Sequence, residues 1–206
     1  MGPYTSAVDL PRARVDLELG RRRHRRITGP AGLLLFVCLF LPAVKGCSEP
    51  VYPATMPMFW HPYLYGLVLA LGTARATVRS LRHTVVALRI LAWLTIVGGA
   101  MLLVVAGPLG LAELFLGVAL LAVIGWRGRA AWPGSAGARS TAHAARSKIE
   151  RRVALTAILV GALSLLWFGL WSATPDALVG VYVSVLASAG LLVGGLVWLG
   201  ESSRVL

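Results

Sequence analysis

The chain alternates between long apolar runs and short segments crowded with arginine. Six apolar runs stand out: about Thr28 to Val44, Phe59 to Ala74, Thr84 to Ala106, Pro108 to Trp126, Val153 to Ser172 and Ala177 to Leu199. Crossing the hydrocarbon core of a bilayer as a helix takes about 20 apolar residues, and each run meets or approaches that length. The first two are the shortest. Within the runs the residues are apolar on every side, without the period-two alternation of a membrane barrel. A segment in lipid must satisfy its own backbone, so these runs predict helices. The expected fold class is an all-α membrane protein with six transmembrane helices.

Punctuation between the runs sets their arrangement. Gly107-Pro108 joins the third to the fourth, and Ala173-Thr174-Pro175-Asp176 joins the fifth to the sixth. Both are tight turns that force antiparallel neighbours, so the bundle reads as three hairpins, 1–2, 3–4 and 5–6. The chain divides into a basic tail at 1–27, a four-helix part at 28–126, a basic loop at 127–152 and a C-terminal hairpin with a short tail at 153–206. The end of that basic loop, from about Ala142, is expected to continue as helix into the fifth span.

Charge gives the bundle an orientation. Of 20 Lys and Arg, all but Lys45 fall in the tail, the two even-numbered inter-hairpin loops and their flanks, or the C-terminal tail. The positive-inside rule then places both termini in the cytoplasm and Lys45, Glu49 and Asp176 outside. Arg89, a little over one turn inside the third run, is expected to snorkel back toward the cytoplasmic boundary. An odd helix count would scatter the balance. A net charge of +12 would suggest nucleic acid in a soluble protein, but a chain that is 57% hydrophobic buries its basic clusters' significance in topology. No nucleic-acid partner is expected. The expected partners are the lipid bilayer, anionic headgroups at the cytoplasmic basic clusters, and a second copy or other membrane subunits. Abundant Ala, Arg, Gly and Leu suggest a GC-rich bacterium, hence a multi-pass inner-membrane protein.

Packing signals are concentrated in the sixth run. Gly180, Ser184 and Ser188 recur every four residues, and Gly190 and Gly194 form a GxxxG. Small residues let helices approach closely in lipid, here against partners inside the bundle or against another subunit. The fifth run offers Ala157 and Gly161 as a matching face.

Candidate chemistry is sparse. The segment from Gly46 to Tyr65 carries Pro50, Pro53, Pro57 and Pro62, which forbid a regular helix, and aromatic residues suited to the membrane boundary. It reads as an interfacial loop or a lid over the outer mouth. Glu113 is the one acidic residue inside an apolar run, about one and a half turns from its outer end, and a carboxylate there calls for a partner. Lys45 and His61 are the outer candidates to meet it. The candidate polar site is therefore Lys45, Glu49, His61 and Glu113. His24, His83 and His143 sit in basic segments and are expected to be solvated. Cys38 and Cys47, about 13 Å apart along a helix, are too distant for a disulfide. No residue is assigned a catalytic or metal-binding role, and no cofactor is expected.

Three function classes remain: a non-enzymatic subunit or accessory component of a membrane complex, a small proton- or cation-coupled transporter or channel using Glu113, and a membrane enzyme acting on lipid or quinone at the outer face. Few intramembrane polar residues and short outer loops favour the first.

Overall fold

A computed structural model describes residues 23–47, 49–56, 59–74, 78–125 and 139–203 of the 206. The tail to Arg22, Arg75, the centre of the basic loop and Arg204 lie outside the described residues, as do the side chains of Arg79 and His143. The described residues are mostly helical, with one short β-hairpin. The helices are α1 (His24–Val37), α2 (Trp60–Ala74), α3 (Val78–Ala106), α4 (Pro108–Ile124), α5 (Arg139–Ser172) and α6 (Val179–Ser203). Three stretches are long and apolar enough to cross a membrane: Ser80–Val104, Lys148–Ser172 and Val179–Ser202. The 17 residues of α4 extend about 26 Å, while α1 and α2 are shorter still.

Helix limits follow from local chemistry. Gly107 adopts φ 29° between α3 and α4, a conformation that suits glycine, and Pro108 then opens α4 where no amide hydrogen is needed. Beginning at Arg139, the 34 residues of α5 extend about 51 Å, well beyond the hydrocarbon thickness. α1 begins at His24, four residues before its apolar run, so Pro30 lies inside the helix rather than near its end.

The hairpins pack as expected from their turns: α1 with α2, α3 with α4, α5 with α6. One extensive contact was not signalled by chain order. α6 lies along α1, closing a core of α1, α2, α5 and α6 that buries Leu35, Leu69, Ala157 and Leu191 completely. The α3–α4 hairpin leans on this core along α2, where the Tyr65 hydroxyl and Thr95 Oγ1 are 3.0 Å apart in a buried hydrogen bond. Both of its helices also touch α5. Outward, α3 exposes Ile90, Leu94, Val97, Met101 and Val104, an apolar stripe along the helix.

Helices α1 and α2 cross at paired glycines. A β-carbon on Gly66 would lie 2.8 Å from the Gly32 carbonyl oxygen, and one on Gly32 would collide with the Gly66 carbonyl in turn. The small residues of α6 are covered within the chain. β-Carbons on Gly180 and Gly190 would lie 2.6 Å from the Pro42 carbonyl oxygen and 2.9 Å from the Ala31 β-carbon. Gly194 abuts Thr28, and one on Gly161 of α5 would lie 3.0 Å from the Ser188 carbonyl. Ser184 and Ser188 are fully buried, and Ser184 donates to the Gly180 carbonyl at 2.7 Å.

The proline-rich segment forms a small cap at one end. Strands β1 (Val44–Lys45) and β2 (Pro50–Val51) pair antiparallel, with Val44 opposite Val51 and Lys45 opposite Pro50. Val44 also bridges Ala177 in the α5–α6 turn, and the Lys45 amide donates to the Asp176 carbonyl at 2.8 Å. This hairpin end opposes the arginine end of the bundle.

At the arginine end, His24 corrects the expectation of a solvated side chain. It is 3% exposed, stacks on Trp198 with ring centroids 4.3 Å apart and planes 8° from parallel, and its Nδ1 pairs with Glu201 Oε2 at 2.6 Å. The other carboxylate oxygen accepts from the Arg23 amide at 3.0 Å, so Glu201 also neutralises the positive start of α1. The arginines around His24 suggested solvent, but α6 runs close enough to cover it. Replacing Glu201 by Ala is expected to lower stability by about 1–3 kcal/mol. Thermal unfolding in detergent would read this as a lower midpoint, and an unchanged midpoint would remove the cluster's claim to hold α1 against α6. His83 is exposed, as expected. Arg89 does reach toward the arginine end, donating to the Gly125 carbonyl at 3.1 Å.

Candidate functional site

Two turns bring the Glu113 carboxylate and a histidine together. Phe59 and Trp60 end the proline-rich segment, and the Trp60 indole donates to the Ala54 carbonyl at 3.2 Å, fixing where α2 begins. Pro62 fits because the first helical turn has no intrahelical amide bond to lose. His61 therefore sits on the opening turn of α2. On the other side, the Gly107-Pro108 turn starts α4 so that Glu113 follows in its second turn. His61 Nδ1 and Glu113 Oε1 lie 3.4 Å apart, with the side chains 23% and 16% exposed. Among the described residues no other basic side chain pairs with Glu113.

The pair borders a cavity of about 190 Å³ between α2, α3, α4 and α5 near the hairpin end. Its walls are overwhelmingly apolar. Pro62 and Tyr65 come from α2, Leu116 from α4, and Leu163, Ser164 and Trp167 from α5. The arrangement exists because α4 and α5 touch at few positions, leaving room between them. Aromatic contacts stiffen the wall: Phe59 against Trp167 at 6.2 Å, and Tyr63 against Phe168 at 5.5 Å. Trp167 also meets Trp171 edge-on at 6.1 Å.

The other candidate residues go elsewhere. Lys45 and Glu49 are exposed on the β1–β2 hairpin and line no part of the cavity. The reason is the backbone. Lys45 is held by strand pairing and by the Asp176 carbonyl, which fixes it to the cap and leaves Glu113 to His61. Cys47 is exposed and Cys38 fully buried, both as free thiols. Among the described residues no three His, Cys, Asp or Glu gather as a metal site would require. Ser164 and Trp167 were not singled out from sequence, because a lone serine and tryptophan in an apolar run look like ordinary packing. Chemically, the cavity offers an apolar chamber with one acid–imidazole pair and two hydroxyl-bearing residues in its wall, Ser164 and Tyr65, the latter engaged with Thr95.

Comparison of the chain with protein-family models, with curated proteins and with solved structures returns no match.

Proposed function

We propose that this chain is a six-span protein of a bacterial inner membrane, with both termini cytoplasmic, acting as a non-catalytic component that holds a lipophilic molecule in its outer half. The observation that carries the reading is the His61–Glu113 pair set in the wall of an otherwise apolar cavity between α2, α4 and α5. Apolar pockets with a few polar groups are the usual form of small-molecule sites. The orientation rests on the distribution of lysine and arginine, which puts the arginine end inside and the hairpin end outside. The shorter α1, α2 and α4 are counted as the remaining spans. On this reading α1 has its 3₁₀ extension Cys38–Phe40 to add length. Membership of a larger membrane assembly fits the scarcity of reactive groups.

The test is purification in mild detergent, followed by native mass spectrometry of the intact protein. The expected result is a bound lipophile at near-unit stoichiometry, depleted in Ser164→Leu, which fills the cavity from α5. Equal occupancy in both proteins would sink the proposal. A second reading has the same pair as its support. A carboxylate and an imidazole facing each other inside a membrane also suit proton transfer. Proton or cation flux into liposomes, abolished by Glu113→Gln, would select it.

A further inference from the structure

We propose that the occupant is a ring-headed, uncharged amphiphile of the quinone class, entering sideways from the outer leaflet between α4 and α5. The proposal rests on the reading of the cavity as a lipophile site, and it adds the ligand's chemistry and route. Size gives the first constraint. An apolar protein cavity of about 150 Å³ holds benzene, so 190 Å³ suits one substituted ring and is too small to enclose a two-tailed lipid. A tail longer than that must leave the cavity.

The exit is visible in the exposure of the lining. Leu109 on α4 and Leu166 and Leu170 on α5 border the cavity while being 43%, 61% and 64% exposed. The mouth therefore opens on the flank of the bundle, through apolar side chains continuous with those that would face lipid. An alkyl or isoprenoid tail leaving there stays in hydrocarbon throughout.

Polarity gives the second constraint. An acyl chain alone would set hydrocarbon against the Glu113 carboxylate and the Ser164 hydroxyl and keep water from them, which is costly. A phosphate headgroup would bring a full charge beside the Glu113 carboxylate and strip it of water against leucine walls. Ring carbonyls avoid both costs. They accept hydrogen bonds from the imidazole, from the Ser164 hydroxyl, or from Glu113 when it carries a proton, and they bring no charge to desolvate. Trp167 in the wall supplies a flat aromatic face for the ring.

The experiment uses the full chain in lipid nanodiscs and reads tryptophan emission. The probes are a benzoquinone with a ten-carbon alkyl tail and phosphatidylcholine brominated in its acyl tails. Both quench indole on contact. The Trp167 signal is isolated by subtracting the same titration on Trp167→Phe. Saturable quenching of Trp167 by the quinone is expected, undiminished by the brominated lipid, and at least about tenfold weaker in Glu113→Leu and His61→Leu. Where those variants do not purify as single species, Glu113→Gln and Ser164→Ala are used, with a several-fold weakening expected. Quenching of Trp167 by brominated lipid that the quinone does not displace would overturn the quinone proposal and leave the lipophile site standing. No specific quenching by either probe would overturn both.

Discussion

Placing leucine at Gly66 is expected to prevent the chain from accumulating as a folded protein. At this position α2 and α1 are in backbone contact. The missing β-carbon would lie 2.8 Å from the Gly32 carbonyl oxygen and 3.2 Å from the β-carbon and a terminal carbon of Leu35. Leu35 is fully buried and has no free direction to move in. A leucine would push α1 and α2 apart by more than the width of a methyl group. α1 is also the helix that carries Thr28 and Ala31 against Gly194 and Gly190 of α6, so the displacement reaches the other side of the core. Overpacking of this kind costs about 1–3 kcal/mol where side chains can yield, and more where backbone is the obstacle. Even Gly66→Ala should lower the thermal midpoint measurably. Gly169 is the internal control, since nothing lies within 4 Å of where its β-carbon would be. Gly169→Ala should be neutral or raise stability by up to about 1 kcal/mol through helix propensity. Equal midpoints for the two alanine variants, measured in the same detergent, would mean that the α1–α2 crossing does not organise the bundle.

These contacts show what the sequence can and cannot reveal. Where helices form is written in hydropathy and turns. Gly107-Pro108 and the Thr174-Pro175 turn lie where the structure reverses direction, and the segment rich in proline is not a continuous helix. Small residues at Gly180, Ser184, Ser188, Gly190 and Gly194 announce that something packs there. They do not say what, because a glycine face accepts any helix that comes near. The structure divides them between the α1 side and α5. Charged and polar residues show the same limit. Lys45 and His61 were equal candidates to face Glu113, and only the three-dimensional path decides between them. A hairpin holds Lys45 on the cap, while the opening turn of α2 delivers His61. His24 is buried for a related reason. Local composition described its neighbours in the chain, but Trp198 and Glu201, its neighbours in space, come from the last helix.

The His61–Glu113 pair offers a sharper test, because stability and binding should respond to it in opposite ways. Removing one partner takes a polar contact from the other beside an apolar wall. Both side chains are partly exposed, which tempers the cost, so His61→Leu and Glu113→Leu should each lose about 1–2 kcal/mol. Removing both replaces a polar pair with two apolar residues in an apolar setting. Substitutions of that kind in buried ion pairs are often neutral or stabilising. The double variant His61→Leu/Glu113→Leu should therefore recover most of the single-variant losses, and its thermal midpoint should return near or above that of the parent protein. A pair kept for packing alone would then be a poor solution to its own position, since two leucines would serve better. Lipophile binding should not recover. It should be at least as weak in the double variant as in either single one, because two of the three groups that would meet a polar ring are gone and only Ser164 remains. A double variant that regains stability and binds as the parent does would show that the pair is incidental to the cavity. One that regains neither would show that the pair holds α2 and α4 in place, and that its worth is structural.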